Sequence, residues 1–219
     1  LSSDTLAIVK LLLGYGLALL GLGMVVLSLL KALKGNLSYP SARLMMTNLL
    51  RTNPNQAEAV CKTMPGTFFE PLAGTMKTIA MVGTRDPSII AQAGRPTYDA
   101  LGGAVVMGFK GHITKAKIGL MMTVGALALT IMMAVKKEKP PDDPNYDPEA
   151  DVVEVAEPGF FQGPGPLIII ALLAAAGMLW IFLRKQELER SIVRARAELL
   201  PEVERAFIEG RYILPPKPQ

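Results

Sequence analysis

The sequence predicts an all-α integral membrane protein: three transmembrane helices, a helical cytoplasmic domain between the first two, and a cytoplasmic helical tail after the third. Three observations carry this. Of the 219 residues 50% are apolar and 19% charged, with a mean hydropathy of +0.33, whereas soluble domains carry about a quarter charged residues. Three windows, 11–30, 118–135 and 166–183, hold no Asp, Glu, Lys, Arg or His, and a hydrocarbon core takes roughly 20 apolar residues to cross. Between the windows, charge alternates in sign from one connection to the next.

The first transmembrane helix is assigned to 1–34. Its apolar run is 20 residues long with Lys10 before it and Lys31 and Lys34 after it, positions from which lysines reach the two interfaces. A secretory signal peptide has an apolar core of only about 7 to 15 residues, so this segment reads as a retained helix. Segment 34–117 carries ten Lys/Arg against four Asp/Glu, and segment 136–165 carries three against eight. By the excess of Lys and Arg in cytoplasmic connections, the first connection is expected inside and the second outside. The tail, 184–219, opens with Arg184-Lys185 and holds eight basic and six acidic residues, so it too is expected inside, with the N-terminus outside.

Helices in a bilayer associate through close backbone approach and side-chain hydrogen bonds, and small residues mark the contact faces. In the first span Gly14, Ala18, Gly21 and Ser28 share one stripe, with Gly16 and Gly23 on a neighbouring one; in the second, Gly119, Thr123, Ala126 and Thr130 repeat the spacing. Such faces predict self-association into a homo-oligomer. Thr123 and Thr130 lie two turns apart on one face and are the candidates for lining a polar pathway; the plainer reading is that each hydroxyl bonds back to a carbonyl one turn earlier. With no Asp, Glu, Lys, Arg or His inside any window, a proton acceptor would have to come from a partner.

The connection 35–117 is too long for a bare turn and is punctuated as a helical domain. Asn53-Pro54-Asn55-Gln56 supplies an N-cap with Pro at the first helical position. Thr67-Phe68-Phe69-Glu70 reads as a capping box whose helix runs to Gly83. Asp86-Pro87 starts a third helix, expected to end at Gly94 before Pro96, and Thr97 a fourth that continues into the second span, with Gly111 a possible point of interruption. Asn53-Pro54 and Asp86-Pro87, 33 residues apart, suggest a duplicated hairpin over 53–83 and 86–111. Lys110, His112, Lys115 and Lys117 form a basic cluster suited to anionic lipid headgroups. Cys61 reads as a buried structural thiol.

The outside loop, 136–165, is acidic and Pro-rich and reads as a solvated linker. The third span, 166–183, continues into a charged helix in which Pro201 kinks the chain or starts a new helix at Leu200. With one His and one Cys in the chain, catalytic pairs, metal cages and disulfide frameworks lack material. Leu101-Gly102-Gly103 has neither the Lys-Ser/Thr ending nor the preceding strand of a phosphate-binding loop. No enzyme activity, cofactor, metal or nucleic-acid partner is expected.

An outside N-terminus, one span, a helical domain of about 80 residues, two further spans and a helical tail: this layout resembles the ExbB/TolQ/MotA group of proton-channel stator subunits. The resemblance is one of topology and size over most of the chain. It implies a bacterial inner-membrane subunit working with a single-span partner that carries an intramembrane acid, with Thr123 and Thr130 at positions of the group's polar threonines. The third span departs from that pattern, since Leu167 to Leu183 contains no Thr, Ser or acid. The alternative reading is a structural or accessory subunit of a large membrane assembly without transport activity.

Overall fold

The computed structural model describes residues 3–33, 37–135 and 165–213, and among them all regular structure is helical. In chain order the helices are α1 (Ser3–Leu33), α2 (Tyr39–Thr52), α3 (Pro54–Lys62), α4 (Phe69–Val82), α5 (Pro87–Val135), α6 (Gly165–Glu198) and α7 (Leu200–Ile208). The acidic loop up to residue 164 and the end beyond Ile213 lie outside the described residues. Three helices, α1, α5 and α6, are long and apolar enough to cross a membrane.

Local chemistry places most helix ends. Asn53 Oδ1 accepts from the Gln56 amide at 3.2 Å, capping α3. At α4 the box is modified: Thr67 Oγ1 accepts from Phe69 N and Glu70 Oε2 from Gly66 N. Gly83 closes that helix at φ +68, with its amide bonded to the Ile79 carbonyl, a left-handed turn that glycine adopts without Cβ strain. Asp86 Oδ1 accepts from Ser88 N at 2.8 Å at the head of α5. Leu199 separates α6 from α7, as Pro201 demands of a chain that cannot continue its hydrogen-bond ladder there.

One expectation fails. No helix ends at Gly94 and none starts at Thr97: α5 is continuous for 49 residues with Pro96 inside it, and Gly111 does not interrupt it. Proline removes the amide bond that would reach the Gln92 carbonyl, yet the helix continues through it, and one residue on Thr97 Oγ1 donates to Ala93 O at 2.7 Å. The two halves of the 33-residue echo therefore differ in form, a helix–turn–helix over 54–82 and a single helix after Asp86.

The chain divides into two compact units, Leu1–Leu29 with Ile113–Trp180, and Leu30–His112 with Ile181–Gln219. The first is a three-helix bundle of the apolar parts of α1, α5 and α6. Its centre holds Ala18, Ala126 and Leu167, with Tyr15, Leu17, Leu127 and Ile170 against them. The second unit packs α2, α3, α4, α7 and the polar halves of α5 and α6 around Met46, Leu50, Phe68, Phe69, Met76, Ile79, Tyr98, Leu199 and Val203, all buried. Leu44 and Ile89, both apolar, remain exposed.

Candidate functional site

In the bundle, the predicted small-residue stripes face each other within one chain. A Cβ on Gly21 would stand well under 3.0 Å from the Gly119 carbonyl oxygen, and one on Gly119 equally close to the Gly21 carbonyl. The same stripe puts Gly14 against Thr130, with 3.1 Å from a Gly14 Cβ to Thr130 Oγ1, and Gly177 of α6 against Val25. Ala18, Ser28 and Ala126 are buried, and Ser28 Oγ donates to Met24 O at 2.8 Å. Gly16 and Gly23, on the neighbouring stripe, face open space.

Both threonine hydroxyls bond to their own helix. Thr123 Oγ1 donates to Gly119 O at 2.6 Å and Thr130 Oγ1 to Ala126 O at 2.9 Å. Thr123 is fully buried, and Thr130 half-buried. The exposed faces of these spans are apolar instead: Ile118, Met121, Val124 and Leu129 on α5, and Ile169, Leu172, Leu173 and Leu179 on α6.

The second unit is bound by a ladder of arginines and acids that joins residues far apart in sequence. Arg43 Nε and Tyr39 OH both reach Glu198 Oε2, at 2.7 and 3.1 Å. Arg51 pairs with Glu202 at 3.0 Å, and Arg196 with Asp99 at 2.7 Å. Arg95 engages Glu204 through two nitrogens, at 3.0 and 3.3 Å. Tyr98 OH donates to Ile192 O at 2.9 Å. Arg51 holds the Glu202 carboxyl below the usual carboxylate range. The tail then folds back over α3: Tyr212 stacks on Phe207 and its hydroxyl donates to Glu58, while Ile213 and Asn55 exchange two hydrogen bonds of 3.0 Å. Through Ile213 the end thus lies along its own chain.

Cys61 is buried in this core, and burial, with Glu58 nearby, pushes its thiol up to about 12. The basic cluster is divided. Lys110 lines an apolar groove between α5 and α6 with Met107 and Val193, whereas His112 lines a separate cavity of about 340 Å³ together with Lys31 and Arg184. Lys115 and Lys117 are exposed and belong to the first unit. Lys31 and Arg184 read in the sequence as interface anchors; their convergence with His112 depends on contacts between helices distant in sequence and leaves no local signal. Among the described residues no group of three or more His, Cys, Asp or Glu is placed to hold a metal ion. No known family model, curated protein or solved structure matches the chain.

Proposed function

We propose that the protein is a structural subunit of a multi-pass membrane assembly, holding neighbours through the apolar faces of α5 and α6 and carrying a helical domain on one side of the bilayer. The observation that carries this reading is the use of polar groups in the spans. Thr123 and Thr130 direct their hydroxyl protons to carbonyls of their own helix, and the exposed faces of α5 and α6 are built from Ile, Leu, Met and Val. Such faces suit lipid or another apolar helix. Both the connection and the tail contribute to the second unit, which supports a common side for them, and the charge balance of the connections favours the cytoplasm.

A second reading, a stator-type subunit coupling proton flow to force with a single-span acidic partner, is favoured by the chain order and by α5 and α6, each of which runs without a loop from an apolar span into the extramembrane unit. In that case the pathway forms between chains. Cysteines placed at Met121 and Leu172 in a Cys61→Ser background test the subunit reading in native membranes: chain-to-chain or chain-to-partner adducts are expected, and monomer alone at both positions overturns it. Proton uptake by vesicles containing the isolated native complex separates the two readings, because only the stator requires it.

A further inference from the structure

The cavity that holds His112 gathers charged groups of both signs at the ends of two apolar runs. Lys31 comes from the last turn of α1 and Arg184 from α6, so two helices bring a cation to one space. Each is the first charged residue after its apolar run, 11–30 and 166–183, which is the level of phospholipid headgroups. Two carboxylates share the lining, Glu70 and Glu187. Phe109, packed edge-on to the His112 ring at 6.2 Å, and Val105 supply apolar wall. The volume, about 340 Å³, falls within the range of small-molecule sites, about 300 to 1,000 Å³.

We infer that this cavity binds the zwitterionic headgroup of a phospholipid, a phosphodiester bearing a primary ammonium. The two cations meet the phosphate and the two carboxylates meet the ammonium, so the paired charges of the cavity match the paired charges of the ligand. Glu70 already accepts from Gly66 N at 2.7 Å and Glu187 pairs with Arg184, but an ionised carboxylate has about four acceptor sites and retains capacity for an N–H donor. A purely anionic headgroup would bring its phosphate to the same cations but leave the carboxylates facing negative charge. A quaternary ammonium would bring the right charge without an N–H to donate. The apolar wall suits the glycerol and first acyl carbons. The inference rests on the membrane-spanning assignment of α1, α5 and α6 and is independent of whether the assembly conducts protons.

The test uses the full-length protein in detergent micelles containing phosphatidylethanolamine, phosphatidylglycerol or phosphatidylcholine, with bound lipid counted by native mass spectrometry and millimolar inorganic phosphate as competitor. Phosphatidylethanolamine should be retained in preference to the other two, and phosphate should not displace it. Lys31→Gln and Arg184→Gln should each weaken retention about tenfold, the loss expected for one charge-assisted hydrogen bond. Glu70→Gln and Glu187→Gln, which keep an acceptor oxygen and remove the negative charge, should shift preference toward phosphatidylglycerol. Should Arg184→Gln fail to fold, Lys31→Gln at an exposed position carries the comparison. Equal retention of the three lipids, displacement by phosphate, or unchanged selectivity in the Glu variants would overturn the assignment.

Discussion

Gly21 of α1 and Gly119 of α5 meet backbone against backbone, each occupying the space that the other's Cβ would need. The contact lies within one chain. Gly21→Leu should cost about 1 to 3 kcal/mol of bundle stability by overpacking, whereas Gly16→Ala and Gly23→Ala, facing open space, should be neutral or slightly stabilising through helix propensity. Unfolding of the three variants in mixed micelles measures the difference; equal stability of Gly21→Leu and Gly16→Ala would contradict the close approach.

Replacing Thr123 and Thr130 together by Val keeps their shape and removes two hydroxyls that bond within their own helix. Polar side-chain bonds in membrane helices contribute on average about 0.6 kcal/mol, so the double variant should assemble at native yield. If the chain is a structural subunit, proton uptake by vesicles carrying the native complex should not change. A selective loss of uptake with intact assembly would favour the stator reading.

Lys110 and Arg190 both belong to the second unit and should be labelled from the same side of the membrane. Cysteines introduced there, in a Cys61→Ser background, should react together with an impermeant reagent only in inverted vesicles. Reaction from opposite sides would be incompatible with a shared domain. Asp147, in the loop outside the described residues, is expected to react from the other side.

Cys61 should resist thiol reagents at pH 8 in the folded protein. The thiolate is the reactive species, and burial drives this thiol up to about 12, leaving little thiolate and little access. Complete modification after denaturation, with slow modification before it, is the expected result of a colorimetric thiol assay.

Glu202 makes the second unit sensitive to acid. Arg51, with help from Arg205 and Arg211, lowers its pKa in the fold, so the charged form is the one the fold favours. Its contribution is complete above the ordinary Glu value of about 4.3 and is lost as pH falls through the lowered folded value. Since the Arg51 side chain is 57% exposed, solvent screens the pair and the contribution should be small. Glu202→Gln should lower the thermal midpoint at pH 7 and remove that part of the decline below pH 4.

Much of the helical outline was legible because its signals are local. Asn53 with Gln56, Gly83, Asp86 with Pro87 and Pro201 each act within four residues, and each marks a helix end in the structure. Pro96 misled because its breaking tendency is a local signal overridden by packing: Ile90 and Tyr98, on either side of it in α5, are buried in the core of the second unit. The union of connection and tail was invisible for the opposite reason. Arg43 and Glu198, or Tyr98 and the Ile192 carbonyl, are pairs whose partners stand 155 and 94 residues apart, and nothing in the immediate sequence of either announces the other. The threonine pair was found by its spacing, but spacing alone leaves open where a hydroxyl directs its proton.

The second unit takes its residues from both sides of two spans, which orders its biosynthesis. When α2, α3 and α4 leave the ribosome, the groups that complete their core, Leu199, Val203, Phe207 and Tyr212, are more than a hundred residues from being made. Until then the apolar surface of Phe68, Met76 and Ile79 has no final cover, and the covering segment can arrive only after the third span has been synthesised and threaded. Synthesis of the last helices is thus a precondition for the domain to close, and a chain stopped before them would leave that core unfinished.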